Sequence, residues 1–276
     1  MSISKNRNSI YGIDFSGAKN ACKKIWVSRG NVVGDTLHID ECFRIAEKIS
    51  SVNQVRPGRD ECLAALRDII VKDEDSVFGI DLSFSIPEAL IVEGDWESFI
   101  LSFPSKYDSA QQFRESCRNM AGGKELKRVS EVKSKVPFSV YNLRLYRQTY
   151  FGIRDMLYPL VMEGLACILP MQDAKSGKPW LIETCPACRL KKEGMYIPYK
   201  GKNDIELDAR VRILEHFMKK GLVISSKLQV KIQEDPEGDA LDSIIAAYST
   251  FRSMDMVSDI SGTLQGNYMV EGYTFF

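Results

Sequence analysis

Two segments of the chain share one short pattern, an apolar run that contains a glycine and ends on aspartate. They are Tyr11-Gly12-Ile13-Asp14 and Phe78-Gly79-Ile80-Asp81, and a third apolar run, Leu181-Ile182, ends on Glu183. Short apolar runs of this kind predict buried β-strands. The carboxyl ends of neighbouring strands in an α/β sheet meet at one crevice, where binding sites commonly form. We therefore expect Asp14, Asp81 and Glu183 to converge, although each acid taken alone is also typical of a helix or turn cap.

The remaining strand and helix signals predict an α/β fold with a mixed sheet covered by helices. The expected strands cover residues 10–14, 24–28, 37–40, 77–81 and 180–183. The first three are close enough along the chain to pair as antiparallel strands. The helix that precedes the fourth strand favours parallel pairing through a right-handed crossover. A mainly helical stretch, about 95–165, separates the fourth strand from the fifth, and two further helices follow.

The last of these helices carries two aspartates, Asp239 and Asp242, three residues apart. Residues at this spacing share a helix face, and the apolar group that begins with Leu241 occupies a different arc. Small residues, Ala246 and Ser249, continue the acidic face, so the helix can approach a sheet closely and aim both carboxylates at the strand ends. The alternative is that both acids only stabilise the N-terminus of the helix by their negative charge, which contributes about 0.3–1 kcal/mol. That alternative explains Asp239 better than Asp242.

A group of carboxylates this dense predicts a divalent cation. Crowded carboxylates repel one another, and without compensation at least one pKa rises. Hard oxygen ligands without a dedicated His or Cys select Mg²⁺ or Mn²⁺ over zinc. Two such ions can activate a water and stabilise the leaving oxygen of a phosphodiester. The expected function is therefore metal-dependent phosphodiester hydrolysis, with these catalytic and metal-binding residues: Asp14, Asp81, Asp239, Asp242 and Glu183.

Four motifs give the chain a resemblance to a known family. They are Gly12-Ile13-Asp14, Ile80-Asp81, Glu183-Thr184-Cys185-Pro186-Ala187 and Asp239-Ala240-Leu241-Asp242-Ser243-Ile244-Ile245-Ala246-Ala247. With these motifs the sequence resembles the predicted ribonuclease H-like nucleases that are grouped as a domain of unknown function. The resemblance implies a ribonuclease H-like five-stranded mixed sheet, with three antiparallel and two parallel strands, flanked by helices. It also implies acids on the first and fourth strands and on the last helix.

The resemblance covers nearly the whole chain in order, and it implies a single domain over residues 1–276. Two features depart from the superfamily pattern. The acid on the fourth strand is often glutamate in the superfamily, whereas here it is Asp81. The distance from Asp81 to Glu183 exceeds what a minimal fold needs, so residues 95–165 are expected to form a helical insertion between the fourth and fifth strands. For Glu183 a structural turn is the alternative, because Pro186 suits the first turn of a following helix.

A basic segment between Lys124 and Arg154 is the candidate substrate surface. It contains eight lysines and arginines against two acids, with aromatic residues between them. Basic side chains neutralise phosphates, and aromatic rings stack on unpaired bases. The alternative is a solvated helical face whose aromatic residues belong to the core. The predicted nucleic-acid-binding residues are Lys133, Lys135, Tyr141, Arg144 and Arg147. A second basic group, which could flank the same crevice, consists of Arg189, Lys191, Lys192, Lys200 and Lys202.

Other sequence features favour a cytoplasmic protein without a membrane partner. The first eight residues lack the apolar stretch that is typical of a signal peptide, and no apolar run approaches the roughly 20 residues that span a bilayer. The seven cysteines are an odd number spread along the chain, which predicts reduced thiols. Cys185 and Cys188 have no second pair of ligands for zinc, and a redox pair is the minor alternative. The net charge of zero excludes neither a nucleic acid nor a metal site.

Two functions remain as alternatives to a nuclease of DNA or RNA. The first is a phosphotransferase or phosphatase on the same scaffold. Neither a P-loop nor a dinucleotide-binding glycine motif occurs, which counts against nucleotide kinases and Rossmann oxidoreductases. The second alternative is a module that binds nucleic acid or protein without catalysis and whose acids only organise the structure.

Overall fold

A computed structural model describes residues 7–49 and 57–276 of the chain. Residues 1–6, on which part of the expectation about an N-terminal signal depends, lie outside the described residues. Within the described ranges, no helix combines the length and the apolar character needed to cross a bilayer.

The centre of the fold is one mixed sheet. Its strands are β1 (Ser9–Asp14), β2 (Trp26–Val33), β3 (Thr36–Arg44), β4 (Ser76–Asp81), β5 (Cys167–Leu169), β6 (Trp180–Thr184), β7 (Leu222–Ile224) and β8 (Thr274–Phe275). They are hydrogen-bonded in the order β5-β6-β4-β1-β2-β3-β7, and β8 lies beside β6. The pairs β1–β2 and β2–β3 are antiparallel, and the other pairs are parallel. The predicted α/β class with a mixed sheet is confirmed.

Helices flank this sheet and fill the connections between its strands. Their bounds are α1 (Arg59–Lys72), α2 (Trp96–Lys106), α3 (Ala110–Met120), α4 (Val129–Lys133), α5 (Tyr146–Gly152), α6 (Tyr158–Met162), α7 (Pro186–Lys192), α8 (Asp204–Met218), α9 (Ser226–Gln233), α10 (Asp239–Arg252), α11 (Met254–Ser258), α12 (Ile260–Thr263) and α13 (Tyr268–Glu271). A π-helical turn, Ile153–Leu157, joins α5 to α6.

Alternate residues of the central strands face two separate apolar cores. On β1, Tyr11 and Ile13 point into the core formed with α1, α2 and α3, whereas Ile10 points into the core formed with α8 and α10. Each core therefore covers one face of the sheet, as strands with buried residues on both sides require. The strands that end on Asp14 and Asp81 are therefore buried on both faces of the sheet.

Two strand glycines let α10 lie directly on the sheet. A Cβ atom at Gly12 would collide with the backbone of Ser243 and Ala247, and a Cβ atom at Gly79 would collide with the side chain of Thr250. Glycine is the residue that permits such close approach between backbones. The glycines of the two repeated strand motifs therefore fix how near the acidic end of α10 comes to the strand ends.

The cysteines correct one expectation from the sequence. Cys22 is paired with Cys62, and Cys185 with Cys188, with Cα atoms 5.4 and 5.2 Å apart. Both separations suit a disulfide. The expectation of reduced thiols is therefore wrong for these four residues. Cys22 and Cys62 are 40 residues apart and become neighbours only in the fold, whereas Cys185 and Cys188 are three residues apart and match the minor alternative of a redox pair. The buried free cysteines are Cys42, Cys117 and Cys167.

Candidate metal centre

The first two predicted acids stand side by side at the ends of parallel strands. Asp14 ends β1, Asp81 ends β4, and the two residues are direct partners in the strand register. The side-chain amide of Gln148 donates hydrogen bonds to the carbonyl oxygens of Phe15 (3.2 Å) and Asp81 (2.6 Å). This amide therefore ties the two strand ends together just behind the acids.

The N-terminus of α10 brings two further acids to the same place. Carboxylate oxygens of Asp14, Asp239 and Asp242 all lie within 4.8 Å of one another, in a group that could hold a metal ion. Gly238 precedes the helix with φ = 74°, a conformation that favours glycine. Asp242 is only 4% exposed, so its carboxylate points inward to the strand ends rather than to solvent. The three carboxylates form what we call the acidic group.

A different acid caps α10. The carboxylate of Asp235 accepts a hydrogen bond of 2.9 Å from the backbone N–H of Ala240 in the first turn. Asp235 lies before the helix and is itself 3% exposed. This contact weakens the alternative that Asp239 and Asp242 only favour the helix N-terminus. Asp235 already accepts the hydrogen bond of this N–H group, so the carboxylates of Asp239 and Asp242 remain available to other partners.

The acidic group and the neighbouring Asp81 hold protons more tightly than isolated aspartates do. Burial, reinforced by the charges of Asp242 and Asp81, raises the pKa of Asp14 well above its usual value. Burial and the Asp242 charge raise the pKa of Asp81 to about 7, and burial raises the pKa of Asp239 to about 6. The pKa of Asp242 is raised as well, mainly by burial. A cation among these carboxylates would offset the repulsion that favours their protonated forms.

Two residues that the sequence analysis did not place beside the acids, Tyr199 and Lys200, contact the carboxylates of α10. The hydroxyl of Tyr199 donates a hydrogen bond of 2.6 Å to Oδ1 of Asp242. The ammonium group of Lys200 lies 2.7 Å from Oδ2 of Asp242 and 3.5 Å from Oδ1 of Asp239. Lys200 was predicted only as part of a basic group flanking the crevice, and Tyr199 was missed. Neither residue belongs to a motif, so no sequence signal marks them.

Glu183 occupies a different environment from the acidic group. Its carboxylate forms a two-pronged ion pair with Arg128, at 2.7 and 2.6 Å, and both side chains are buried. It also accepts hydrogen bonds from the backbone N–H of Phe84 (3.0 Å) and from the hydroxyl of Thr274 (2.8 Å). The structure thus does not bring Glu183 into the acidic group, and its contacts are those of a residue that ties β6 to neighbouring segments.

The predicted substrate surface divides into exposed cations and a buried ring. Lys133, Lys135, Arg144 and Arg147 are all exposed. Tyr141 has no exposed surface, and its hydroxyl is hydrogen-bonded to the backbone of residues 124 and 126. A base cannot stack on a ring that lies in the core, so the structure removes Tyr141 from this surface. The sequence shows aromatic residues between cations but not which way each ring points.

A cleft runs from the acidic group past the end of β6. One recess, of about 580 Å³, is lined by residues that include Asp81, Tyr199, Lys200 and Asp242. A second recess, of about 300 Å³, lies between the ends of β4 and β6 and the segment 134–149. The two recesses share Asp81, Ala187 and Tyr196 in their walls, so they are adjacent.

Three comparisons, with protein-family models, with curated proteins and with solved structures, gave no match to this chain. The resemblance to ribonuclease H-like nucleases therefore stays a prediction based on the four motifs. The features that bear on function are the acidic group, its neutralising partners and the cleft beside it.

Proposed function

We propose that this chain is a metal-dependent nuclease. The observation that carries the proposal is the acidic group: carboxylate oxygens of Asp14, Asp239 and Asp242 lie within 4.8 Å of one another. Asp81, the register partner of Asp14, supplies a fourth carboxylate at the same edge. Burial raises the pKa of all four acids, and neighbouring negative charges raise the pKa of Asp14 and Asp81 further. Their charged forms are therefore unfavourable unless a cation lies among them.

The donor set fits Mg²⁺ or Mn²⁺. The acidic group offers only carboxylate oxygens, without a histidine or cysteine among its members. Hard divalent ions prefer such ligands, whereas zinc sites generally contain nitrogen or sulfur. The chemistry that these ions supply when bound is activation of water and stabilisation of the leaving oxygen of a phosphate ester.

Each residue of the site has a proposed role in holding the cation or in positioning a ligand of the cation. Asp14, Asp239 and Asp242 would hold the cation, with Asp81 beside them. Tyr199, through its hydrogen bond of 2.6 Å, keeps the carboxylate of Asp242 in one orientation. Glu183, which was expected to be a catalytic and metal-binding residue, is proposed instead to act from outside the group by fixing the end of β6 through Arg128.

The arrangement of the sheet supports the ribonuclease H-like interpretation. Its five central strands follow the order β3-β2-β1-β4-β6, with three antiparallel strands and then two parallel ones. The helices α2 to α6 lie between β4 and β6 along the chain, where a helical insertion was expected. The acids occur on the first and fourth strands, as expected. The helix with the other two acids, α10, was expected to be the last, but the short helices α11 to α13 follow it.

A nucleic acid is the proposed substrate because cations border the cleft. Lys191 lines the recess of about 300 Å³, and Arg144 lies 4.8 Å from the ring of Phe138 in its wall. Lys133, Lys135 and Arg147 extend the exposed positive charge. Such side chains attract a phosphate backbone in a manner that weakens as salt rises. Reversing the charge of Arg144 and Arg147 should therefore weaken polynucleotide binding most at low salt.

Cleavage assays test the proposal. Wild type should cut at least one of four substrates, single-stranded, duplex, hybrid or branched, in Mg²⁺ or Mn²⁺ and not in EDTA. Asp242→Asn should abolish cleavage, whereas Asp255→Asn, which alters an exposed acid on α11, should cleave like wild type. Metal binding without cleavage of any polynucleotide would favour a phosphatase or phosphotransferase instead, and phosphate release from monoesters would identify it.

A further inference from the structure

The recess of about 300 Å³ lies next to the recess that contains the acidic group and differs from it in chemistry. It opens on Asp81, which it shares with the recess that contains Asp242 and Lys200. Most of its accessible wall is apolar, with contributions from Val136, Pro137 and Leu145. A group bound there would therefore be largely apolar and would lie immediately beside the reacting phosphate of the proposed function.

Two aromatic rings stand in the wall of this recess, and each has a cation over it. Arg144 lies 4.8 Å from the ring centre of Phe138, and Lys191 lies 5.1 Å from the ring centre of Tyr196. The ring of Tyr196 belongs to a side chain that is 58% exposed, so it is accessible from the cleft. Aromatic rings that stack on bases, next to cations that meet the backbone, are the combination used to bind single strands.

The interior of the recess also contains an unused hydrogen-bonding group. Thr184 lines it, is 2% exposed, and its hydroxyl oxygen has no hydrogen-bond partner. A buried hydroxyl without a partner is unfavourable unless a ligand or a water satisfies it. The acids at the back, Glu131 and Glu183, share Arg128 as their partner, which neutralises one of the two negative charges. Burial raises the pKa of Glu131, which disfavours the second charge.

We propose that this recess receives one unpaired nucleotide of the substrate strand, with its base between Phe138 and Tyr196 and a neighbouring phosphate at the acidic group. The volume of about 300 Å³ is at the lower end of the range for small-ligand sites, and it suits a single nucleoside. A base inside an intact duplex cannot enter without leaving the stack. The inference rests on the proposed function and names its substrate class: a single strand, or a duplex with an unpaired nucleotide.

Fluorescence titration with 2-aminopurine oligonucleotides in Ca²⁺ tests the inference. The probes are a single strand, a fully paired duplex, and a duplex in which the 2-aminopurine is an unpaired bulge. We expect the first and third to bind at least about tenfold more tightly than the paired duplex, with the fluorescence quenched by stacking. Equal affinity for all three probes would overturn the inference.

Substitutions in the recess provide the second arm of the test. Phe138→Ala and Tyr196→Ala should each weaken single-strand binding about five- to hundredfold, the usual range for removal of one stacking partner. Ala187→Trp should block the recess by filling it, whereas Leu143→Ala, an exposed residue outside the lining, is the control. Circular dichroism verifies that each variant is folded. A folded Ala187→Trp protein that binds the single strand like wild type would contradict the assignment.

These outcomes separate the inference from the proposed function. Quenched, single-strand-selective binding without cleavage in Mg²⁺ or Mn²⁺ would refute the nuclease and leave the nucleotide recess intact. Cleavage that is as fast on paired duplex as on a single strand, and unaffected by Phe138→Ala, would refute the recess and leave the nuclease intact.

Discussion

Replacing Lys200 by methionine should strengthen the binding of divalent ions to the acidic group. The Lys200 ammonium lies 2.7 Å from Asp242 Oδ2 and 3.5 Å from Asp239 Oδ1, so it already neutralises oxygens that a metal ion would require. A cation that binds those oxygens must displace the ammonium or share the carboxylates with it. Methionine retains much of the aliphatic chain and removes the charge.

The size of the effect follows from the exposure of the lysine. A hydrogen bond to a charged group contributes about 1.5–3 kcal/mol where solvent is excluded. The Lys200 side chain is 50% exposed, and screening by water reduces the contribution to about 1–2 kcal/mol. Because about 1.4 kcal/mol corresponds to a factor of ten, the dissociation constant for Mn²⁺ should fall about five- to thirtyfold.

Calorimetric titration with Mn²⁺ measures this change directly. The matched control is Lys202→Met, which removes an exposed lysine two residues further along and should leave the affinity as in wild type. Thermal denaturation of each protein without metal shows whether the fold is retained. Binding by Lys200→Met that is weaker than in wild type, or no different from it, would refute the reasoning that Lys200 competes with the cation.

Three further predictions concern packing, the buried ion pair and pH. Gly12→Ala should lower the free energy of unfolding by about 1–3 kcal/mol or more, measured in urea, because its Cβ collides with the backbone of α10. Glu183→Gln should lower it by about 3–5 kcal/mol, because it leaves a buried arginine without its full partner, but Mn²⁺ affinity in calorimetry should not change. The affinity for Mn²⁺ should rise from about pH 5 to about pH 8, because Asp81 and Asp239, with pKa values of about 7 and about 6, must lose protons to bind.

Each of these three measurements has a control or an outcome that would contradict the reasoning. Gly58→Ala, whose Cβ would meet no atom closer than 3.9 Å, should be far less destabilising than Gly12→Ala, and equal losses would contradict the packing argument. A Glu183→Gln protein that is as stable as wild type but binds Mn²⁺ more weakly would show that Glu183 is a metal ligand. Mn²⁺ affinity that is constant between about pH 5 and about pH 8 would show that no carboxylate of the site titrates there.

The same pKa shifts determine how the metal-free protein responds to pH. The folded state binds protons on Asp81 and Asp239 more tightly than the unfolded chain, whose aspartates have the ordinary value of 3.8. The stability that this difference provides is present below about pH 4 and is lost as the pH rises through about 6 and then about 7. A bound divalent ion should remove that loss, so Mn²⁺ should raise the melting temperature more at high pH than at low pH.

The sequence predicted the parts of the fold that depend on local patterns. The runs that end at Asp14 and Asp81 became neighbouring parallel strands, because an apolar run ending on an acid is readable from adjacent residues. The edge strands β5, β7 and β8 were not predicted. Each is two or three residues long, which is too short for an alternating pattern to be recognised.

The candidate site was predicted less completely, because its members depend on tertiary contacts. Asp239 and Asp242 could be placed on one helix face from their spacing alone. The ion pair of Glu183 with Arg128 joins residues that are 55 positions apart, so no local sequence pattern predicts it. Tyr199 and Lys200 reach Asp242 from a segment without a motif, so only the fold shows that they share its carboxylate.

Calorimetric titration of wild type and Asp14→Asn with Mn²⁺ shows whether the acidic group binds a divalent cation. Asparagine keeps the shape of the side chain and removes one carboxylate from the acidic group. The proposal predicts saturable binding by wild type, much weaker binding by Asp14→Asn, and unchanged binding by Asp255→Asn. Asp14→Asn should also be at least as stable as wild type without metal, because it relieves repulsion among the acids, so weaker binding could not be ascribed to unfolding. Mn²⁺ binding of equal strength by Asp14→Asn and wild type would contradict the metal centre.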